Sequence, residues 1–168
     1  SRMSVDSLLD LDEPGFNTLT IRDGGRLLIS DLDHGELRIG TNDRLRLLNG
    51  GTLVATSVIG DLENTSGKLI APGLRDLFVN GDFAQHAAGE TCLELALSHS
   101  KLRVLGNASL GGTLRVALVE GIEVMAGWNY ELVRAQQLLG DFSSLILPDI
   151  GPDLRWPVRI AAVKGGEV

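Results

Sequence analysis

The chain has 168 residues, 43% of them hydrophobic, enough for one domain with a sizeable core. Only 4% are aromatic, so that core must be built from Leu, Val, Ile and Ala. A formal charge of −7 opposes attraction to nucleic acid or to an anionic membrane surface, and no run of about 18 apolar residues exists to span a bilayer.

Ser1-Arg2-Met3 reads as an added leader in place of a signal peptide. Beyond it, short aliphatic strands recur at roughly eight to ten residues: Leu19 to Ile21, Arg26 to Ile29, Glu36 to Ile39, Arg44 to Leu48, Thr52 to Thr56 and Lys68 to Ala71. Within them Leu19 and Ile21, Leu27 and Ile29, Leu37 and Ile39, Leu45 and Leu47, and Leu53 and Ala55 stand two apart. Each pair therefore faces one way, while Arg38, Arg44, Arg46 and Thr52 face the other. Asp23-Gly24-Gly25, Asp33-His34-Gly35, Asn42-Asp43 and Asn49-Gly50-Gly51 separate the strands and accept left-handed backbone conformations.

This pattern predicts an all-β fold, a β-solenoid over residues 1–168 with a C-terminal cap. A coil of roughly 20 to 25 residues would bring every third strand into register. Gly-Gly and Asn-Gly-Gly turns also join hairpins, so an antiparallel β-sandwich is the alternative. Residues 4–67 form coils without specific motifs; residues 68–168 carry the more recognisable coils and the cap. Glu131 to Leu139 could form a short helix, or a strand followed by a loop.

From Leu77 onward the segments Val79-Asn80-Gly81-Asp82-Phe83-Ala84-Gln85, Ala88 to Leu95, Val104 to Leu118 and Gly140 to Pro148 follow one another in order. Together they resemble the terminal repeats of passenger domains in autotransporter-like and other large bacterial surface proteins, over about residues 67 to 160. The resemblance implies a right-handed parallel β-helix that is extracellular or on the cell surface and extends, presents or adheres. It implies no catalysis and no cofactor. Its partners would be a glycan or another surface protein, and its solenoid edges offer a route to self-association. Cys92 stands where the resemblance expects an aliphatic residue and reads as core filling.

The candidate sites are few. Asp10-Leu11-Asp12-Glu13 and Asp31-Leu32-Asp33 with Glu36 alternate carboxylates as a calcium site would, without EF-hand or β-roll spacing; solvated turn acids are the plainer reading. His34 beside Asp33, and Ser98, His99 and Ser100, lack the context of a catalytic or zinc site. Glycines from Gly106 to Gly112 lack the lysine of a phosphate loop. Asn64-Thr65-Ser66 and Asn107-Ala108-Ser109 match the N-glycosylation pattern. Trp128 and Tyr130, with Trp156, could stack on a sugar or close the end of the solenoid. The function expected is therefore a non-catalytic structural, adhesive or display segment, with a carbohydrate-binding module or a polysaccharide-active β-helix fragment as alternatives. Cys92, the single cysteine, allows no internal disulfide.

Overall fold

The computed structural model describes residues 1–5, 8–10, 17–29, 36–40, 43–71, 75–95, 101–121 and 130–151. The first coil holds β1 (Arg2–Val5), β2 (Leu8–Asp10) and β3 (Thr18–Ile21); the second β4 (Arg26–Ile29), β5 (Glu36–Arg38) and β6 (Arg44–Leu47). The third holds β7 (Thr52–Val54), β8 (Ser57–Ile59) and β9 (Asp61–Asn64); the fourth β10 (Lys68–Ile70), β11 (Leu77–Asn80) and β12 (Phe83–Gln85). The fifth holds β13 (Glu90–Leu95), β14 (Leu102–Val104) and β15 (Asn107–Leu110); the sixth β16 (Thr113–Leu118), β17 (Val133–Arg134) and β18 (Gln137–Gly140). β19 (Ser144–Ile146) opens a seventh.

Each strand pairs in parallel with the third strand after it, giving three sheets ordered β1-β4-β7-β10-β13-β16-β19, β2-β5-β8-β11-β14-β17 and β3-β6-β9-β12-β15-β18. The chain is thus a three-faced parallel β-helix. The antiparallel sandwich is excluded, because every strand pair among the described residues is parallel. Nor is there a helix between Glu131 and Leu139, where β17 and β18 lie. Arg2 and Met3 are strand residues in register with Arg26 and Leu27. Coil length departs from the expected 20 to 25 residues: register steps run from 16, Leu53 to Leu69, to 31, Leu114 to Leu145.

Alternation sets what enters the core. In the first sheet Leu27, Leu53, Leu69, Thr91 and Leu114 stack as one inward ladder; the third sheet stacks Leu45, Leu62, Phe83 and Ala108. All are buried, as are Leu37, Val58, Val79 and Val104 in the second. A one-residue slip would turn each ladder to solvent, so the pattern fixes the register.

Two corners are narrow and glycine-lined. Between the second and third sheets, Gly60 has φ of 124°, and a Cβ on Gly81 would come within 2.4 Å of the Gly60 carbonyl oxygen. Between the third and first sheets the Gly25, Gly51, Gly67, Gly89 and Gly112 carbonyls accept from Thr52, Lys68, Glu90, Thr113 and Ser144 N–H groups at 2.8–3.1 Å. The remaining corner varies most, from Ala55 and Thr56 alone between β7 and β8 to residues 119–132 between β16 and β17.

Candidate functional site

Outward side chains of adjacent coils lie one strand spacing apart, about 4.8 Å, so charges in neighbouring columns meet between coils. On the third sheet Glu63 is the centre of such a group. Its Oε2 lies 3.2 Å from Arg46 Nε and 3.6 Å from Arg44 Nη1. Its Oε1 accepts from Arg46 Nη2 at 3.4 Å and Thr65 Oγ1 at 3.3 Å, and lies 3.4 Å from His86 Nε2.

The first sheet has a second group around Glu90, whose Oε1 lies 2.7 Å from Arg115 Nε, 3.5 Å from Lys68 Nζ and 3.2 Å from Cys92 Sγ. The Arg115 hydrogen bond outweighs partial burial and, helped by Cys92 and Lys68, holds the Glu90 carboxyl below the usual carboxylate range. Cys92 is half-buried on the outer face, between the inward Thr91 and Leu93. This corrects its reading as core filling, which overlooked that it is one residue, not two, from Leu93. Burial and the neighbouring Glu90 push its thiol up to about 11. A neutral thiol is a poor nucleophile, so this trio does not make an activated cysteine.

A third group joins the second sheet's coils. Glu131 Oε1 accepts from Arg134 Nε at 3.0 Å, and Oε2 from Lys101 Nζ at 3.3 Å. Burial raises its pKa, but those two hydrogen bonds outweigh it and leave the carboxyl below its ordinary value. Nearby, Asp76 lies 3.8 Å from Arg103 Nη1, and the Arg103 guanidinium sits 6.0 Å from the Phe78 ring centre. Glu90 and Glu131, held below the ordinary carboxylate value by their cations, stay ionised at neutral pH, which suits bracing between coils and does not suit general acid catalysis.

Of the calcium and sugar candidates singled out from sequence, Glu36 and Tyr130 have described side chains. Glu36 is bound to Arg38 of its own strand, Oε1 to Nε at 2.5 Å. Asp31 and Asp33 fall in the connection from β4 to β5 and, like Trp128, Trp156, His34, Ser98, His99 and Ser100, lie outside the described residues. Tyr130 is half-buried against the core cluster, and that burial raises its phenol pKa. Among the described residues no three His, Cys, Asp or Glu side chains are placed to hold a metal ion. Asn64, matched to the glycosylation pattern, is fully buried and its amide is bonded inside the coil, so its nitrogen is closed to a transferase.

Sequence reasoning missed the polar group inside the solenoid. Asn64, Gln85 and Thr91 are buried among aliphatic ladders, with Thr91 Oγ1 donating to Gln85 Oε1 at 2.6 Å. The signal that could have found them is position: Asn64 falls two residues after Leu62, and Gln85 two after Phe83, on the inward parity. No family model matches the chain, and no curated protein and no solved structure matches it either.

Proposed function

We propose that this chain is a non-catalytic structural, adhesive or display segment of a large bacterial extracellular or surface protein. The observation that carries the reading is the use to which the charged side chains are put: Glu63, Glu90 and Glu131 each tie together side chains from successive coils. A stack braced along all three faces suits a stiff spacer. The ordered segments from Val79 to Pro148 and their resemblance to passenger repeats support the extracellular setting. The packing of Tyr130 against the core supports end-closure over sugar stacking for that residue.

The test is the complete open reading frame together with antibody labelling of intact cells of the source organism. The reading expects a secretion signal, further coils in the same frame and labelling without permeabilisation. A compact gene whose product is confined to the cytosol overturns it.

A further inference from the structure

Two segments of the chain carry the Asn-x-Ser pattern, and the coils turn them to opposite faces. In β9 Asn64 falls on the inward parity, is fully buried, and spends its amide on Gln85, the Glu90 carbonyl and the Gly67 N–H. In β15 the inward residue is Ala108, with 0% exposure, so Asn107 and Ser109 on either side of it both face outward. Ser109 is exposed and Asn107 half-buried. The Asn107 backbone N–H donates to Asp82 Oδ1 at 2.7 Å, while its carboxamide bonds to no described residue.

The surroundings of Asn107 leave room for a bulky group. β15 lies between β12 and β18, so its outward face owes nothing to an end of the stack. Asp82 and Gln137, next to Asn107 in the adjacent coils, are both exposed, and Ser109 stands opposite the short side chain of Ala84. Across the Gly106 corner Leu105 is 54% exposed. A saccharide has apolar C–H faces as well as hydroxyls, and one anchored at Asn107 has Leu105 to cover and Asp82 and Gln137 to bond.

We propose that Asn107 is an N-glycan attachment site and that Asn64 is not. The donor is a sugar carried on a diphosphate. Its bond from the anomeric carbon to the diphosphate oxygen breaks, and the electron pair leaves with the diphosphate. Asn107 Nδ2 forms the new bond to the anomeric carbon and gives up one of its two protons to a base of the transferase. The product projects from the outer face and leaves the Asp82 bond and the inward ladder of Phe83 and Ala108 intact. On Asn64 the same group would have to enter the aliphatic interior, so a chain modified there cannot close its coils.

Peptide mass spectrometry of the chain isolated from its source cells tests this. The tryptic peptide of residues 104–115 is expected to carry a sugar on Asn107, and the peptide of residues 47–68 to carry none on Asn64. Expressed in the same cells, Ser109→Ala and Asn107→Gln should each lose the sugar, and Ser109→Thr should keep it. All three changes lie on the outer face, and circular dichroism should show the parent β spectrum for each. An unmodified Asn107 in the parent chain, a sugar on Asn64, or a modification that persists in Ser109→Ala would each overturn the proposal.

Discussion

Asn64 and Gln85 occupy one register position in adjacent coils, and Asn64 Nδ2 donates to Gln85 Oε1 through the interior at 3.3 Å. The same nitrogen donates to the Glu90 carbonyl at 3.1 Å, while Asn64 Oδ1 accepts from the Gly67 N–H at 2.9 Å. Gln85 Nε2 donates onward to the Gly111 and Thr113 carbonyls at 2.7 and 3.1 Å. Two amides thus bond the backbone of successive glycine corners from inside the solenoid. Buried polar groups carry their full cost only when a partner is removed.

Asn64→Leu keeps the approximate shape but removes the acceptor of the buried Gly67 N–H and a second bond to the Glu90 carbonyl, so it should lower stability by about 2–4 kcal/mol. Gln85→Leu should cost a similar amount. The double variant should cost less than the sum, because the bond they share is lost once. Urea unfolding of the four proteins measures this, and strict additivity would show that the two amides act independently.

Adjacent glycines at one corner should behave unequally. Gly50 has φ of 75°, and beyond its chain neighbours no atom lies within 4 Å of where a Cβ would stand, so Gly50→Ala costs only the left-handed backbone, about 1 kcal/mol. At Gly51 the new Cβ would lie 2.1 Å from the Ile21 carbonyl oxygen of the coil beneath, backbone that cannot step aside. Gly51→Ala should cost about 3 kcal/mol or more and push the coils apart. Equal melting temperatures for the two variants would contradict this close stacking.

The fold was legible where period two is unbroken. Leu27 and Ile29, or Leu45 and Leu47, can only be inward pairs between glycine turns, and they are. β8 and β9 were harder to separate because Ser57 to Asn64 turns its corner on Gly60 alone, without the Asn or Asp cluster that marks other turns. Alternation also misleads where the outer face is apolar: Val54 points outward between Leu28 and Ile70, yet is as buried as the core. The inter-coil groups around Glu63 and Glu90 were invisible, because their members sit 17 to 25 residues apart and meet only once the coil lengths, which vary from turn to turn, are known.

Cys92 should react slowly with maleimide at neutral pH, with a rate that climbs until the pH reaches about 11, where its thiol titrates. Glu90 contributes to that upward displacement through a hydrogen bond and its charge. Glu90→Gln should therefore lower the midpoint of the rate profile and speed labelling at pH 8. The sign for stability follows: a thiol harder to ionise when folded stabilises fully below its unfolded value near 9, and that contribution fades between pH 9 and 11. Labelling at the rate of a free thiol at pH 7 would show that Cys92 is not held as described.

Glu90 and Glu131 should shape the acid limb of the stability curve. Both carboxyls lie below their ordinary value near 4.5, so each contributes stability that is present above pH 4.5 and is lost as the pH falls through the lower folded value. Their partners are partly exposed, Arg115 by 44% and Arg134 by 52% of the side chain, so water and salt screen the pairs and each contribution is small, below about 1 kcal/mol. The melting temperature of the parent should accordingly decline below pH 4.5, and the Glu90→Gln, Glu131→Gln double variant should start lower at pH 7 and decline less steeply. Raising the salt concentration at pH 7 should shrink the gap between parent and double variant without altering the acid behaviour of the variant. Parallel curves for the two proteins from pH 7 to pH 3 would show that neither carboxylate braces the coils.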